Sequence, residues 1–219
     1  MKSNLLGFWA SVLALLFGLG YSVAQLLSWL GVIPHPQDLF WLFLPSLFLA
    51  PAFLVVMICL HYRASEEKKT WTLAALSFAI IYCGFATLNY FTQLTVVVPK
   101  LIKGDIDENN VLAFKQGSFM FAVDCLGYFF MSLSTSFAAF AFYDNNKKLY
   151  WWMLVNGALI VIFIPAYFNP FFYFIGSVWA VTFTVAMMYA ARFFRERAGI
   201  RLRLVYEDEQ TIAPETSDA

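Results

Sequence analysis

Six apolar runs divide the chain, and a short polar segment separates each run from the next. The runs cover residues 5–30, 39–60, 71–98, 117–142, 150–166 and 171–193. A helix that crosses a membrane needs about 20 apolar residues, with a range of about 17 to 25. None of the runs alternates apolar and polar positions as the strands of a membrane barrel do. The pattern therefore predicts six spanning helices, because only helices and closed barrels satisfy the backbone inside a bilayer.

Two of these runs admit a second interpretation. The fifth run is at the short end of the spanning range. Asn169-Pro170 follows soon after it, which favours a tight helical hairpin with the sixth run. A re-entrant segment is the alternative. The first run follows Lys2 and contains Ser22-Val23-Ala24, which is similar to the cleavage site of a secretory signal. Its apolar stretch is longer than a signal core, so we interpret it as a retained first helix.

The basic residues predict the orientation of the spans. With the N-terminus inside, 11 of the 14 lysines and arginines lie on the inner side, whereas Lys100, Lys103 and Lys115 lie in or beside the outer loop between the third and fourth runs. This asymmetry is what the positive-inside rule expects. The predicted fold is an all-α polytopic membrane protein, a six-transmembrane-helix bundle, N-in and C-in. Residues 1–195 form one transmembrane domain, and residues 196–219 form a partly disordered cytoplasmic tail.

The amino-acid composition agrees with a membrane protein and limits the classes of partner that we expect. Hydrophobic residues make up 61% of the chain and charged residues 13%, whereas a soluble domain is about half apolar and about one quarter charged. The 14 acidic residues balance the 14 basic ones, so no overall positive charge favours nucleic acid. The expected partners are membrane lipids, with either a small-molecule ligand or another membrane subunit in addition.

Polar residues inside the spans are the candidates for function, because they are costly in hydrocarbon. Asp124 is the single acidic residue within the six runs, and Tyr128 lies one helical turn further along the same face. A carboxylate at the centre of a spanning helix costs about 2.5 to 3.5 kcal/mol on insertion scales. We therefore interpret Asp124 as a proton- or cation-responsive group in the outer half of the membrane.

Other helices carry polar residues at a comparable depth. The third run has Asn89 and Gln93 four residues apart, and the first has Tyr21 and Gln25 at the same spacing. The sixth has Ser177 beside Gly176. These residues predict a ligand-binding cavity in the outer half of the bundle. The alternative is that they hydrogen-bond to one another between helices, each bond contributing about 0.6 kcal/mol on average. The aromatic residues around Phe171 to Phe174 favour contact with lipid.

The sequence offers no positive case for an enzyme. It contains no His-Glu-x-x-His motif and no glycine-rich phosphate loop, and Asp124 has no second carboxylate for acid–base chemistry. His35 and His61 are predicted on opposite sides of the membrane, so they cannot share a metal ion. We therefore assign no catalytic residue, no metal ligand and no cofactor.

Two segments that flank the outer loop carry a resemblance. They are 89–94 (Asn-Tyr-Phe-Thr-Gln-Leu) and 126–133 (Leu-Gly-Tyr-Phe-Phe-Met-Ser-Leu), and together they resemble a set of uncharacterised six-span bacterial inner-membrane proteins. Those proteins tend to have glutamate before the Gly-Tyr pair, where this chain has Asp124-Cys125-Leu126. The resemblance implies a multi-pass protein of the inner (plasma) membrane and brings no known function.

Two classes of function follow from these patterns. The first is binding or transport of a small polar or amphipathic molecule through the outer-half pocket that contains Asp124. The second is a non-catalytic accessory or structural subunit of a membrane complex. The two differ in whether the polar faces of the helices converge on a void or on each other.

Overall fold

The computed structural model describes residues 2–107 and 109–212, with side chains described for 3–107 and 109–199, and the structure is all-α. Its α-helices are α1 (Lys2–Trp29), α2 (Gln37–His61), α3 (Lys69–Thr92), α4 (Val98–Lys103), α5 (Phe119–Phe142), α6 (Lys147–Ala158), α7 (Ile160–Phe168), α8 (Pro170–Gly176) and α9 (Trp179–Ile212). Short segments at Glu66–Lys68 and Gln93–Val97 form a 3₁₀ turn and a π-helical turn.

Six helical segments of the described chain are long and apolar enough to cross a membrane. They are Ser3–Trp29, Gln37–His61, Glu66–Lys103, Phe119–Phe142, Lys147–Phe168 and Pro170–Gly199. The predicted six-helix membrane bundle is confirmed, and every predicted run lies largely within one of these segments. The fifth segment has 22 residues, which is long enough for a full crossing.

Capping residues explain where three helices of the bundle begin. The side chain of Ser118 accepts a hydrogen bond from the backbone N–H of Phe121 at the start of α5. Asn146 caps α6 in the same way. Asn169 caps α8 and is followed by Pro170, whose missing N–H is no loss in a first turn. Asn169 is also the single residue between α7 and α8, which gives the tight hairpin that the sequence predicts.

A π-helical turn interrupts the third span near its C-terminal end. Pro99 has no N–H for the carbonyl of Thr95 four residues earlier, so one hydrogen bond of a regular α-helix is missing at this point. The turn at Gln93–Val97 lies directly before it. The backbone changes register here just before the outer loop begins.

The six spans close into a ring. Going round it, α1 packs on α2, α2 on α3, α3 on α5, α5 on α6, α6 on α9, and α9 returns to α1. Three aromatic side chains fill the middle of the ring: Phe53, Tyr82 and Phe183, each at most 1% exposed. The ring of Phe53 lies 5.6 Å from that of Tyr82 and 5.7 Å from that of Phe183, so it joins three helices. We call these three side chains the plug.

A second buried cluster, which is polar, joins α5, α6 and α9. The Asn156 side chain donates to Thr135 Oγ1 over 3.3 Å and accepts from Thr182 Oγ1 over 3.0 Å. All three side chains are buried. In this cluster, polar side chains hydrogen-bond to one another between helices. On the sequence alone, such bonding is the alternative to a ligand-binding cavity for the outer-half residues.

The predicted C-terminal tail begins inside a helix. Helix α9 continues without a break from the sixth span through residues 196–212. The last seven residues, 213–219, belong to the part predicted to be disordered and lie outside the described residues.

Candidate functional site

A cavity of about 290 Å³ lies in the half of the bundle that the sequence places toward the outside. Residues of α1, α2, α3, α5, α7, α8 and α9 line it, together with the loop before α5. The cavity extends from Asp38 and Gln116 at its mouth to Tyr128 and Trp179 at its deep end. The polar groups of several spans therefore face a common void.

Asp124 is the acidic group in the wall of this cavity. It lies on the second turn of α5 and is only partly buried, because part of its side chain faces the void. Its Oδ1 accepts a hydrogen bond from the side-chain amide of Asn89 on α3 over 3.1 Å. No lysine or arginine of the described residues forms an ion pair with this carboxylate. The carboxylate thus has a hydrogen-bond donor on the protein side and no cation.

Two further hydrogen bonds fix tyrosines in the wall. The hydroxyl groups of Tyr90 and Tyr128 lie 3.2 Å apart, which joins α3 to α5. On α1 the Tyr21 hydroxyl donates to Gln25 Oε1 over 3.1 Å. Each pair holds its phenol rings in place beside the cavity.

Aromatic rings surround the void in a nearly continuous band. Neighbouring rings have centroids 4.8 to 5.7 Å apart, and the one exception is the pair Tyr90 and Tyr128, which the hydroxyl contact joins. In order, the members are Tyr173, Phe121, Phe114, Phe43, Tyr90, Tyr128, Trp179 and Tyr21. We call these eight residues the aromatic wall.

The plug lies beneath the cavity, on the side away from Asp38 and Gln116. Trp179 stacks on Phe183 with ring centroids 5.2 Å apart, and its indole N–H points to the sulfur of Met131 over 3.3 Å. Trp179 is 4% exposed, while Phe183 and Met131 are fully buried. Trp179 and the buried side chains that it contacts therefore form the floor of the cavity.

Charged and polar residues at the mouth are already paired. Asp38 accepts a hydrogen bond from Ser28 over 2.7 Å and lies 3.1 Å from Nδ1 of His35. Lys115 donates to Asn109 Oδ1 over 3.3 Å, and the Gln116 amide donates to the carbonyl of Ala166 over 3.3 Å. These contacts tie the outer loops to the ends of the spans. They leave Asp124 as the acidic group without a basic neighbour.

Five of the seven residues that the sequence selected line the cavity: Tyr21, Gln25, Asp124, Tyr128 and Ser177. Asn89 and Gln93 are fully buried and do not line it. Asn89 instead holds Asp124, and the Gln93 amide donates to the backbone carbonyl of Leu112 over 2.7 Å. Gln93 therefore anchors the outer loop to the π-helical turn.

Sequence reasoning missed several members of the aromatic wall. Tyr90 follows Asn89 directly and lies in the segment that carried the resemblance, which is the signal that could have selected it. Tyr173 was grouped with the lipid-facing aromatic residues of the last hairpin. Its neighbours Phe171 and Phe174 are 63% and 64% exposed, but Tyr173 lines the cavity, because it falls on the other face of the short helix α8.

The two histidines lie apart, each with a local partner. Nδ1 of His61 lies 2.9 Å from the Thr72 hydroxyl at the inner end of α2, and His35 contacts Asp38 at the outer mouth. Within residues 2–107 and 109–212, no three His, Cys, Asp or Glu side chains come together as metal ligands would. The cavity is thus lined by the carboxylates of Asp38 and Asp124, the ammonium group of Lys115, hydroxyl and amide groups, and aromatic rings.

Comparison with known proteins returns no relative. No protein-family model matches the chain, and no curated protein and no solved structure matches it.

Proposed function

We propose that this integral membrane protein binds a small amphipathic molecule in the cavity that contains Asp124. The observation that carries the proposal is the convergence of polar groups from α1, α3, α5 and α8 on a void rather than on each other. A concave, mostly apolar site with a few converging polar groups is typical of small-molecule binding. A volume of about 290 Å³ corresponds to roughly ten water molecules, so the ligand is small.

The contrast with the Asn156 cluster supports binding over a purely structural role. In that cluster the amide oxygen and nitrogen are both used by threonines of neighbouring helices, and all three side chains are buried. Around the cavity, part of the Asp124 carboxylate faces open space. A carboxylate inside a membrane is costly, so its position there without a cationic partner favours a ligand that balances its charge.

Transport would add one step to binding. The plug separates the cavity from the inner side, so passage would require Phe53, Tyr82 and Phe183 to move apart. Binding from the outer side does not need this movement. We therefore propose binding as the function of this state, with transport as an extension that depends on the plug.

Native mass spectrometry tests the proposal on protein released from its native lipids. We expect an added small-molecule mass on the wild-type chain and on the Asp105→Asn control, and its loss from Asp124→Asn. Asp105 is an acid of the outer loop that does not line the cavity. A bare protein mass in all three, or a bound polypeptide that does not depend on Asp124, would overturn the proposal and favour an accessory subunit.

A second measurement does not depend on retention of the ligand during purification. Cys125 lines the cavity, whereas Cys59 and Cys83 do not. In a Cys59→Ala/Cys83→Ala background, we expect a small water-soluble methanethiosulfonate to modify Cys125 in intact membranes. Absence of modification, with a cysteine introduced at Asp105 modified normally, would show that the reagent does not react inside the cavity and would contradict the proposal.

The membrane and the wider group also stay proposals. The resemblance of segments 89–94 and 126–133 supports placing the chain among six-span proteins of the bacterial inner (plasma) membrane. Separation of inner and outer membranes on a density gradient, with detection of the protein in each, tests this location.

A further inference from the structure

We infer that the ligand of this cavity is a small organic cation, such as an alkylammonium group with an apolar body. The inference rests on the proposed function and specifies its ligand class. Its basis is the position of Asp124 within the aromatic wall.

The first step is the charge balance of the cavity. Its charged lining residues are Asp38, Lys115 and Asp124. Asp38 is bonded by Ser28 and His35, and Lys115 is bonded to Asn109 at the mouth. Asp124 has the Asn89 amide as donor and no lysine or arginine in the described chain. The deep part of the cavity therefore has a negative group that a positive ligand would complete.

The second step is the chemistry of the wall. The faces of tyrosine, phenylalanine and tryptophan rings carry negative potential and attract cations within about 6 Å, tryptophan most strongly. Tyr128 and Trp179 meet edge to face with centroids 4.8 Å apart, and Tyr21 meets Trp179 in the same way at 5.7 Å. Rings that meet at such angles form corners, and corners of this kind bind quaternary ammonium groups in aromatic cages.

The lining of the cavity does not suit a divalent metal ion. Ca²⁺ takes six to eight oxygen ligands, and Mg²⁺ demands an octahedron of them. The described residues contain no cluster of three or more acidic, histidine or cysteine side chains, and rings make up most of the wall. A cavity of about 290 Å³ is also far larger than a bare metal ion requires. The aromatic wall suits a cation whose charge lies on an alkylated nitrogen.

Three probes of the same shape and different charge test the inference. They are choline, its neutral carbon isostere 3,3-dimethyl-1-butanol, and the anion 3,3-dimethylbutanoate. The readout is the rate at which the neutral reagent methyl methanethiosulfonate modifies Cys125 in the Cys59→Ala/Cys83→Ala protein, reconstituted in lipid nanodiscs. We expect choline to protect Cys125 at concentrations at least tenfold lower than the isostere, and the anion to give no protection.

Matched variants separate charge from shape. Asp124→Asn keeps an oxygen that can accept from Asn89, so the wall stays in place, and we expect the tenfold preference for choline to disappear. Asp105→Asn changes the same charge outside the cavity and should keep the preference. Trp179→Leu removes one ring, and we expect it to weaken choline several-fold while the neutral isostere changes little.

The outcomes distinguish this inference from the proposed function. If choline and its isostere protect equally in the wild-type protein, the cavity binds ligands without regard to charge, so the inference fails and the proposed function stands. If none of the three probes protects, the inference also fails. In that case the native mass spectrum decides separately whether the cavity has a ligand of another class.

Discussion

The side-chain amide of Asn89 donates to Oδ1 of Asp124 over 3.1 Å and so joins α3 to α5 at the wall of the cavity. Asn89 is fully buried, while Asp124 faces the void. The pair divides two tasks, because Asn89 positions the carboxylate and Asp124 presents it.

A double-mutant cycle on Asn89 and Asp124 measures their coupling. We expect Asn89→Ala to destabilise the protein, and Asn89→Ala combined with Asp124→Ala to cost less than the sum of the single changes, because each single change removes the hydrogen bond. The coupling should be about 0.6 kcal/mol, the average for hydrogen bonds between membrane helices. Reversible unfolding in mixed detergent micelles gives the free energies. Strict additivity would show that the contact contributes nothing to stability.

The packing of α5 against α6 predicts an intolerant glycine. A Cβ on Gly157 would meet the Ser136 side chain and would lie 2.9 Å from the backbone oxygen of Ser132 and the backbone nitrogen of Ser136. Backbone atoms cannot give way as a flexible side chain can. We therefore expect Gly157→Ala to lower the free energy of unfolding by about 1 to 3 kcal/mol, as overpacking does.

The matched control for this change is Gly84→Ala on α3. A Cβ at Gly84 meets nothing within 4 Å. Alanine favours a helix over glycine by up to about 1 kcal/mol, so we expect stability to stay the same or rise. Thermal unfolding of the two variants side by side makes the comparison. Equal losses in both would mean that glycine matters here for backbone freedom and not for close packing.

The Asn156 cluster predicts a modest loss for a buried polar residue. Thr135 also hydrogen-bonds the carbonyls of Met131 and Ser132, and Thr182 also bonds that of Trp179. Both threonines therefore keep partners within their own helices when Asn156 is removed. We expect Asn156→Ala to cost about 1 to 2 kcal/mol, in the range of such bonds and a small cavity. A loss above about 4 kcal/mol would show that the cluster holds the three helices together cooperatively.

The predicted orientation has its own test. In a cysteine-free background, we expect Asp105→Cys in the outer loop to react with a membrane-impermeant maleimide in intact cells. Lys147→Cys, at the start of α6, should react only after the membrane is permeabilised. The reverse pattern would place the N-terminus outside and the cavity mouth inside, and it would overturn the N-in, C-in assignment.

The sequence alone determined the class of fold and the number of spans. Backbone groups must be satisfied within each segment in hydrocarbon, so an apolar run of about 20 residues has one structural outcome. The approximate bounds of the spans followed from where the apolar runs end, and the tight hairpin followed from Asn169-Pro170. Periodicity also placed Asp124 and Tyr128 on one face of α5, because residues four apart are neighbours on a helix.

The tertiary structure decided which polar residues face a void. Asn89 and Gln93 are four residues apart on the third span, and Tyr21 and Gln25 have the same spacing on the first span. Nevertheless, Asn89 and Gln93 are fully buried, whereas Tyr21 and Gln25 line the cavity. The difference depends on how each helix is rotated about its axis and on which helices surround it. Close packing across the ring determines both, and the local sequence does not. The same holds for the aromatic wall. Its members come from seven separate parts of the chain and meet only when α9 packs back on α1.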